Sequence, residues 1–390
     1  MKKPHYVLFS IFTLIIALTF VFTGCYDRHH IPAVSTTPKD APLITTDASS
    51  LPTPTATPTV TPLPTPSMTT PVISDFYSDL SAALNSCESM FTLTGTGDNK
   101  VDMIDIQEWM DNRDDVYDAS WKSRDYGDHI DFEFNITYRQ EYKLSYAYRS
   151  GDRKKLTDDE RDTLANAEQV IGSVIKPGMS DYEKEKAIHD YIIITCEYDS
   201  DNYSSGTATD SAFCPYGVLI SKKAVCDGYS STFKLFMDML DIECVITRGV
   251  ADGEGHSWNL VRISGEWYWI DVTWDDPVYL DGNELPDVIR YDWFNVTDNI
   301  IGSSHQPDTT PTVKCTATKY NYFVYNDLVV SNKDELKAAL QRASKQRDAY
   351  VSVLYTGSPL SNDELHSIFP SNVYMFSSDN NTGIIIVYFS

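Results

Sequence analysis

The sequence predicts an α+β fold, with a cysteine-bearing helix packed on an antiparallel sheet and a small α+β unit on either side. Three observations predict it. Two helical segments with start signals precede a third, "AVCDGYSSTFKLFMDML". Two strand-like stretches, "HSWNLVRI" and "EWYWIDVTW", meet at Ser264-Gly265. Short helix and strand patterns recur in a similar order at both ends of the ordered sequence.

The chain has 390 residues, enough for two or three domains, and 42% of them are hydrophobic. A formal charge of −25 and a pI near 4.5 exclude nucleic acid as a partner, since phosphate binding needs a concentrated basic face. Residues 1–24 read as an export leader: Lys2 and Lys3, an apolar run from Val7 to Phe22, then small residues. The run falls short of the about 20 residues a spanning helix needs. Ending on Thr23-Gly24-Cys25, it resembles a bacterial lipoprotein signal, in which Cys25 becomes the lipidated first residue. Phe22 departs from the aliphatic residue usual there. This implies attachment at the outer face of a bacterial membrane.

Residues 25–72 read as a disordered tether. The stretch from Ile31 to Pro71 holds ten of the chain's 19 prolines among threonine and serine and cannot bury a core. At about 3.1 Å per residue it could reach roughly 130 Å. Acidic residues repelled by an anionic membrane suit such outward display.

Residues 73–153 read as the N-terminal unit. "SDLSAAL" and "IDIQEWM" are helical, "MFTLTG" is a strand, and "HIDFEFNITY" alternates with Ile130, Phe132, Phe134, Ile136 and Tyr138 on one side. "YKLSYAY" repeats the alternation and is expected to pair with it. "DNKVDMIDIQE" has the acid spacing of a calcium loop, but Lys100 and Met103 stand where a ligand and a glycine belong, so it reads as a turn into a helix. Residues 313–390 form the C-terminal unit. "DELKAAL", "VSVLYTG", "SNDELHSIF", "VYMFSS" and "GIIIVYF" follow the order of the N-terminal elements, as a second copy would.

Residues 154–312 carry the chemistry. Thr157 is an N-cap, and Ser180 with Glu183 forms a capping box. His189 reads as an ordinary helix-surface or satisfied histidine. Cys226 falls in or just before the first turn of its helix, where unpaired N–H groups favour a thiolate. Phe233, Phe236, Met237 and Leu240 mark its buried face, and Gly228 leaves room for another chain to approach. With a two-residue turn at Ser264-Gly265, Ile263 pairs with Glu266 and Trp258 faces Asp271. His256 lies on the same face two positions along, about 7–8 Å away and within side-chain reach.

Cys226, His256 and Asp271 therefore read as a thiol nucleophile, its base and the acid that orients the base. The Cys226 N–H supplies one oxyanion donor; Tyr216 is a candidate for the second, with core packing as its alternative. Asp275 and Asp276 read as shaping the turn before Pro277. Of seven cysteines, the remainder are small hydrophobes without a disulfide spacing. No CxxC pair or convergent carboxylate cluster argues for a metal, and no cofactor is expected. The aromatic residues around the hairpin read as core.

Three motifs here strongly resemble the bacterial transglutaminase-like superfamily: "AVCDGY" at 224–229, "GHSWN" at 255–259 and "WYWIDVTWDDP" at 267–277. The resemblance implies a papain-like α+β core with Cys226, His256 and Asp271 as an intact catalytic set. It implies no substrate. The expected function is a surface-anchored thiol enzyme acting on amide or peptide bonds, a hydrolase first, with a protein or peptide substrate, cell-wall peptide among them. Protein-glutamine acyl transfer and a non-catalytic scaffold are the alternatives.

Overall fold

The computed structural model describes residues 7–10, 75–96, 103–111, 113–276, 288–379 and 382–390. The proline-rich stretch, Cys25, Pro277 and the acidic stretch at 98–102 lie outside them. Among the described residues no helix is long and apolar enough to cross a membrane.

The first sheet contains β1 (Val7–Ser10), β2 (Met90–Thr96), β3 (Val116–Asp125) and β4 (His129–Tyr138), antiparallel in the order β1-β3-β4-β2. Helices α1 (Asp75–Asn85) and α2 (Met103–Asp111) cover one face. Strand β4 alternates as its sequence does: Phe132, Phe134, Ile136 and Tyr138 are buried, and the residues between them are exposed. They pack with Leu80, Leu84, Ile106 and Met110.

The segment "YKLSYAY" is a correction. It lies in helix α3 (Gln140–Ser150), which ends on Gly151 in the left-handed conformation (φ 73°), with the Gly151 N–H donating to the Ala147 carbonyl. Its apolar spacing also fits a helix, and burial settles which period applies: Glu141, Leu144, Ser145 and Ala147 are inside, at intervals of three and four. The helix packs on the central helix at Cys226–Met239 instead of extending the sheet.

Helices α4 (Asp158–Val174) and α5 (Asp181–Thr195) both begin with complete capping boxes, Thr157 with Glu160 and Ser180 with Glu183. Strand β5 (Glu197–Tyr198) pairs in parallel with β6 (Lys223–Ala224). Between them run α6 (Ser200–Ser205), a 3₁₀ turn at Asp210–Phe213 and a π turn at Gly217–Ser221. Helix α7 (Cys226–Met239) follows. The sequence marks one buried face on α7, yet every residue except Asp227 is buried. The helix runs through the middle of the core, with α3 and α5 around it and a sheet beneath. Lys234 is tolerated inside because its ammonium reaches Asp238 at 2.5 Å, and Asp238 accepts from Ser145 Oγ at 3.0 Å. Truncating Phe233 to alanine in such a setting costs about 3–5 kcal/mol.

The sheet beneath has the order β10-β7-β8-β9, all antiparallel: β7 (Cys244–Ala251), β8 (Glu254–Ile263), β9 (Glu266–Ile270) and β10 (His305–Pro307), the last after α8 (Asp298–Ile301). Ser264 (φ 51°) and Gly265 (φ 91°) form the hairpin turn, both left-handed as a two-residue turn demands. The register runs from Ile263–Glu266 to Asn259–Ile270, the pairing the turn predicts. Val261, Ile263, Tyr268 and Ile270 join the main core, while Trp258, Leu260 and Trp269 form a second cluster on the other face.

After α9 (Tyr322–Tyr325) comes the last sheet, β11-β12-β14-β13, made of β11 (Val329–Val330), β12 (Tyr350–Tyr355), β13 (Val373–Asp379) and β14 (Ile384–Phe389). Helices α10 (Lys333–Gln346) and α11 (Asn362–His366) belong to it. Both flanking units run helix, strand, helix, strand, strand, with the final strand placed between the other two.

Candidate functional site

Cys226 is the first residue of α7 and is 5% exposed. The preceding Val225 is extended, and no side chain caps the first N–H groups of the helix. The 3₁₀ turn crosses directly over this end. The Val225 N–H donates to the Ala212 carbonyl at 3.0 Å, and a Cβ at Gly228 would stand 2.5 Å from that oxygen. The other chain that Gly228 admits is therefore the 210–213 turn.

Within β8 the side chains divide. Ser257 and Asn259 turn to α7, where Ser257 Oγ lies 2.9 Å from Ser230 Oγ and Asn259 Nδ2 donates to the Ser230 carbonyl at 3.1 Å. His256 and Trp258 take the other face, their rings 5.9 Å apart. Asp271 follows β9 and is fully buried. Its Oδ1 accepts from the Thr273 N–H at 3.0 Å and the Trp274 N–H at 3.2 Å. Its Oδ2 lies 2.8 Å from His256 Nε2. With Nε2 committed to the carboxylate, Nδ1 is the nitrogen left for the thiol, and Cys226 shares the cleft wall with the imidazole.

The charges support each other. Burial alone would push the His256 imidazole down, but the charge and hydrogen bond of Asp271, joined by Cys226, push it up to about 10. Burial would likewise raise the Asp271 carboxyl, but His256 and the hydrogen bond from His305 hold it far below the usual carboxylate range. Cys226 and His256 line an open cleft of about 260 Å³ with Tyr203, Phe213, Asp227, Arg248, Gly249, Gly255 and Asp308. Arg248 Nε donates to Asp227 Oδ1 at 3.1 Å on the wall beside the cysteine.

The structure thus brings Cys226, His256 and Asp271 together. Tyr216 does not line the cleft; its backbone N–H donates to Gln140 Oε1 at 2.9 Å. Asp275 and Asp276 do more than shape a turn. Asp275 is buried against His189, and Asp276 accepts from the Tyr229 hydroxyl at 2.5 Å. His189 is a satisfied histidine inside the core, not on a surface. The six described cysteines are free thiols, five of them buried.

Sequence reasoning missed His305, whose Nε2 reaches Asp271 Oδ2 at 3.0 Å. It lies far along the chain in "SSHQP", and no local pattern marks it. His256, Asp271 and His305 are the one trio among the described residues with clustered metal-ligand atoms, all within 4.8 Å. Both imidazoles meet a single carboxylate oxygen at 2.8 and 3.0 Å, which is a hydrogen-bonded array of two donors on one acceptor.

A helix-borne cysteine on an antiparallel sheet carrying the histidine and the acid is the papain- and transglutaminase-like α+β core. Residues 168–272 match the family model of the transglutaminase-like superfamily. The kyphoscoliosis peptidase of Mus musculus is 28% identical over 118 residues, which are 27% of this chain and 18% of that protein. That of Homo sapiens is 27% identical over 120 residues, again 18% of its length. The chain therefore matches less than a fifth of these relatives. A crystal structure of a TGase shares 17% identity at a TM-score of 0.29, covering 55% of this chain and 62% of that one.

Proposed function

We propose that this protein is a thiol hydrolase of amide or peptide bonds, working through a thioacyl intermediate on Cys226. The observation that carries the reading is the Asp271–His256 pair at 2.8 Å, opening with Cys226 onto one cleft. The thiolate attacks the substrate carbonyl carbon, and the new oxyanion meets the N–H groups at the start of α7. His256, charged after taking the thiol proton, returns a proton to the departing amine as the C–N bond breaks. Water then adds to the thioester, giving its proton to His256, and the acid leaves as the thiol is restored. An amine entering in place of water would make the same site an acyltransferase, but an open cleft admits water freely. Lipid at Cys25 and the proline-rich segment would hold the catalytic part away from a bacterial membrane, within reach of extracellular or wall peptides.

The test is the pH dependence of Cys226 alkylation, with and without His256→Ala. Labelling that persists well below pH 8 and fades in the variant supports an activated pair. Ordinary thiol behaviour in both proteins sinks the enzyme reading and leaves a scaffold.

A further inference from the structure

His305 has no part in the steps above, yet its placement is costly to explain as packing. It stands in β10, paired opposite Ala251 of β7, and its side chain is fully buried. The rings of Trp274, Trp258 and Trp293 surround it at 4.4, 4.9 and 5.0 Å. Three indoles make a box suited to an apolar side chain, whereas an imidazole brings two nitrogens that must find partners. Both have them. Nε2 lies 3.0 Å from Asp271 Oδ2, and Nδ1 lies 2.7 Å from Ser304 Oγ. An ionised carboxylate can only accept, so Nε2 carries the hydrogen, and the Ser304 hydroxyl gives Nδ1 its partner. Among the described residues, the titratable groups the ring meets are Asp271 and His256, the latter 5.6 Å away between ring centres.

We infer that His305 is a positioning residue for the thiol chemistry. Its Nε2–H, bonded to the same carboxylate oxygen that holds His256, fixes the direction of Asp271 and keeps it a charged acceptor. The inference rests on the thiol-enzyme reading above. Asp271 Oδ1 is tied to two backbone N–H groups, which leaves rotation about that anchor as the carboxylate's freedom. A second donor on Oδ2 removes it, and His256 is held with Nδ1 toward Cys226. His305 is no alternative base: it does not line the cleft, and both its nitrogens are spent.

Two variants of the full chain test this. His305→Gln keeps an N–H donor near the Nε2 position; His305→Leu fills the indole box without one. The readout is the pH profile of Cys226 carbamidomethylation by iodoacetamide, on proteins shown by circular dichroism to be folded. The glutamine variant should stay within about threefold of the unchanged protein, and the leucine variant should be slower by about tenfold or more at neutral pH, with its acid limb moved to higher pH. An unchanged profile in the leucine variant, or equal damage in both, reduces His305 to packing and overturns the inference. Should neither variant fold, ¹⁵N spectra of the histidine side chains in the unchanged protein decide. A protonated Nε2 on His305 supports the inference, and an Nε2 without a proton overturns it. Failure of the underlying reading looks different: Cys226 of the unchanged protein then reacts as an ordinary thiol, His256→Ala changes nothing, and both ideas fall.

Discussion

Asp271 and Asp275 sit four positions apart, both fully buried and both bonded to a histidine, yet their ionisation runs in opposite directions. Asp271 accepts four hydrogen bonds, two from backbone N–H groups and two from imidazoles, and its carboxyl is held far down. Asp275 has the Trp293 N–H at 2.9 Å and His189 at 3.1 Å. Burial, with Asp292 nearby, pushes it up to about 7 against those two bonds. The second difference is access. His256 opens on a cleft with a thiol, whereas His189 is sealed in the core, its other nitrogen facing Asp190 at 3.1 Å. An acid–histidine pair becomes chemical machinery only when the acid stays charged and the histidine has a third partner beside an opening.

The largest expected effect breaks this comparison most directly. Asp271→Asn should slow Cys226-dependent turnover, or alkylation at neutral pH, by about a thousandfold, because the amide cannot support a charged imidazole. Asp275→Asn should leave the rate within about threefold, since burial already raises the native carboxyl to about 7 and its histidine partner is sealed from the cleft. Equal losses would mean that the two pairs are one network and that the distinction is wrong.

Occupancy of the cleft comes next. Gly255 lines it, and a Cβ there would meet no atom within 4 Å. Gly255→Leu should therefore fold normally while weakening turnover of a peptide substrate by about tenfold, with iodoacetamide labelling barely changed. Parallel losses toward the peptide and the small reagent would show that the site itself had moved.

Melting temperature against pH sharpens the contrast through its sign. The folded Asp275 carboxyl titrates near 7, against 3.8 unfolded, so its stabilisation is full below about 3.8 and is lost as pH rises through 7. Relative to Asp275→Asn, the unchanged protein should lose about 1–4 kcal/mol across that window. Asp271, depressed when folded, does the reverse: its contribution is present above 3.8 and is lost as pH falls. Calorimetric scans of the two variants that shift in the same direction with pH would remove the basis for separating them.

The smallest effect belongs to His189→Gln. It retains one donor in the core and should cost about 1–2 kcal/mol in a denaturant titration. The pH profile of Cys226 alkylation should not move, and a shifted profile would place His189 in the reacting array.

Much of the fold was legible because its signals are local. Capping boxes at Thr157 and Ser180 state where helices begin, and Ser264-Gly265 sets a register that carries Asp271 to His256. The flanking units show how far such reading goes. "HIDFEFNITY" alternates because β4 has one face inside. "GIIIVYF" does not, because β14 is buried on both: Ile384, Ile386 and Tyr388 face the main core, and Ile385, Val387 and Phe389 face the helices of their own unit. The apolar run announces double burial but not the partner on each side. "YKLSYAY" was misleading because its apolar positions satisfy both periods, and only its seat on α7 selects the helix.

By itself the sequence determined where the capped helices begin, the hairpin register, and a cysteine, a histidine and an aspartate placed to meet. It also determined the thiol chemistry they suggest, since residue type and short-range spacing fix those features. Tertiary structure alone decided that α7 is buried all round, that Asp275 faces His189, and that His305 closes on Asp271 from a strand 34 residues further along. The physical reason is that a buried carboxylate keeps its charge only by collecting donors from wherever the fold brings them, and that gathering leaves no trace in the neighbouring residues.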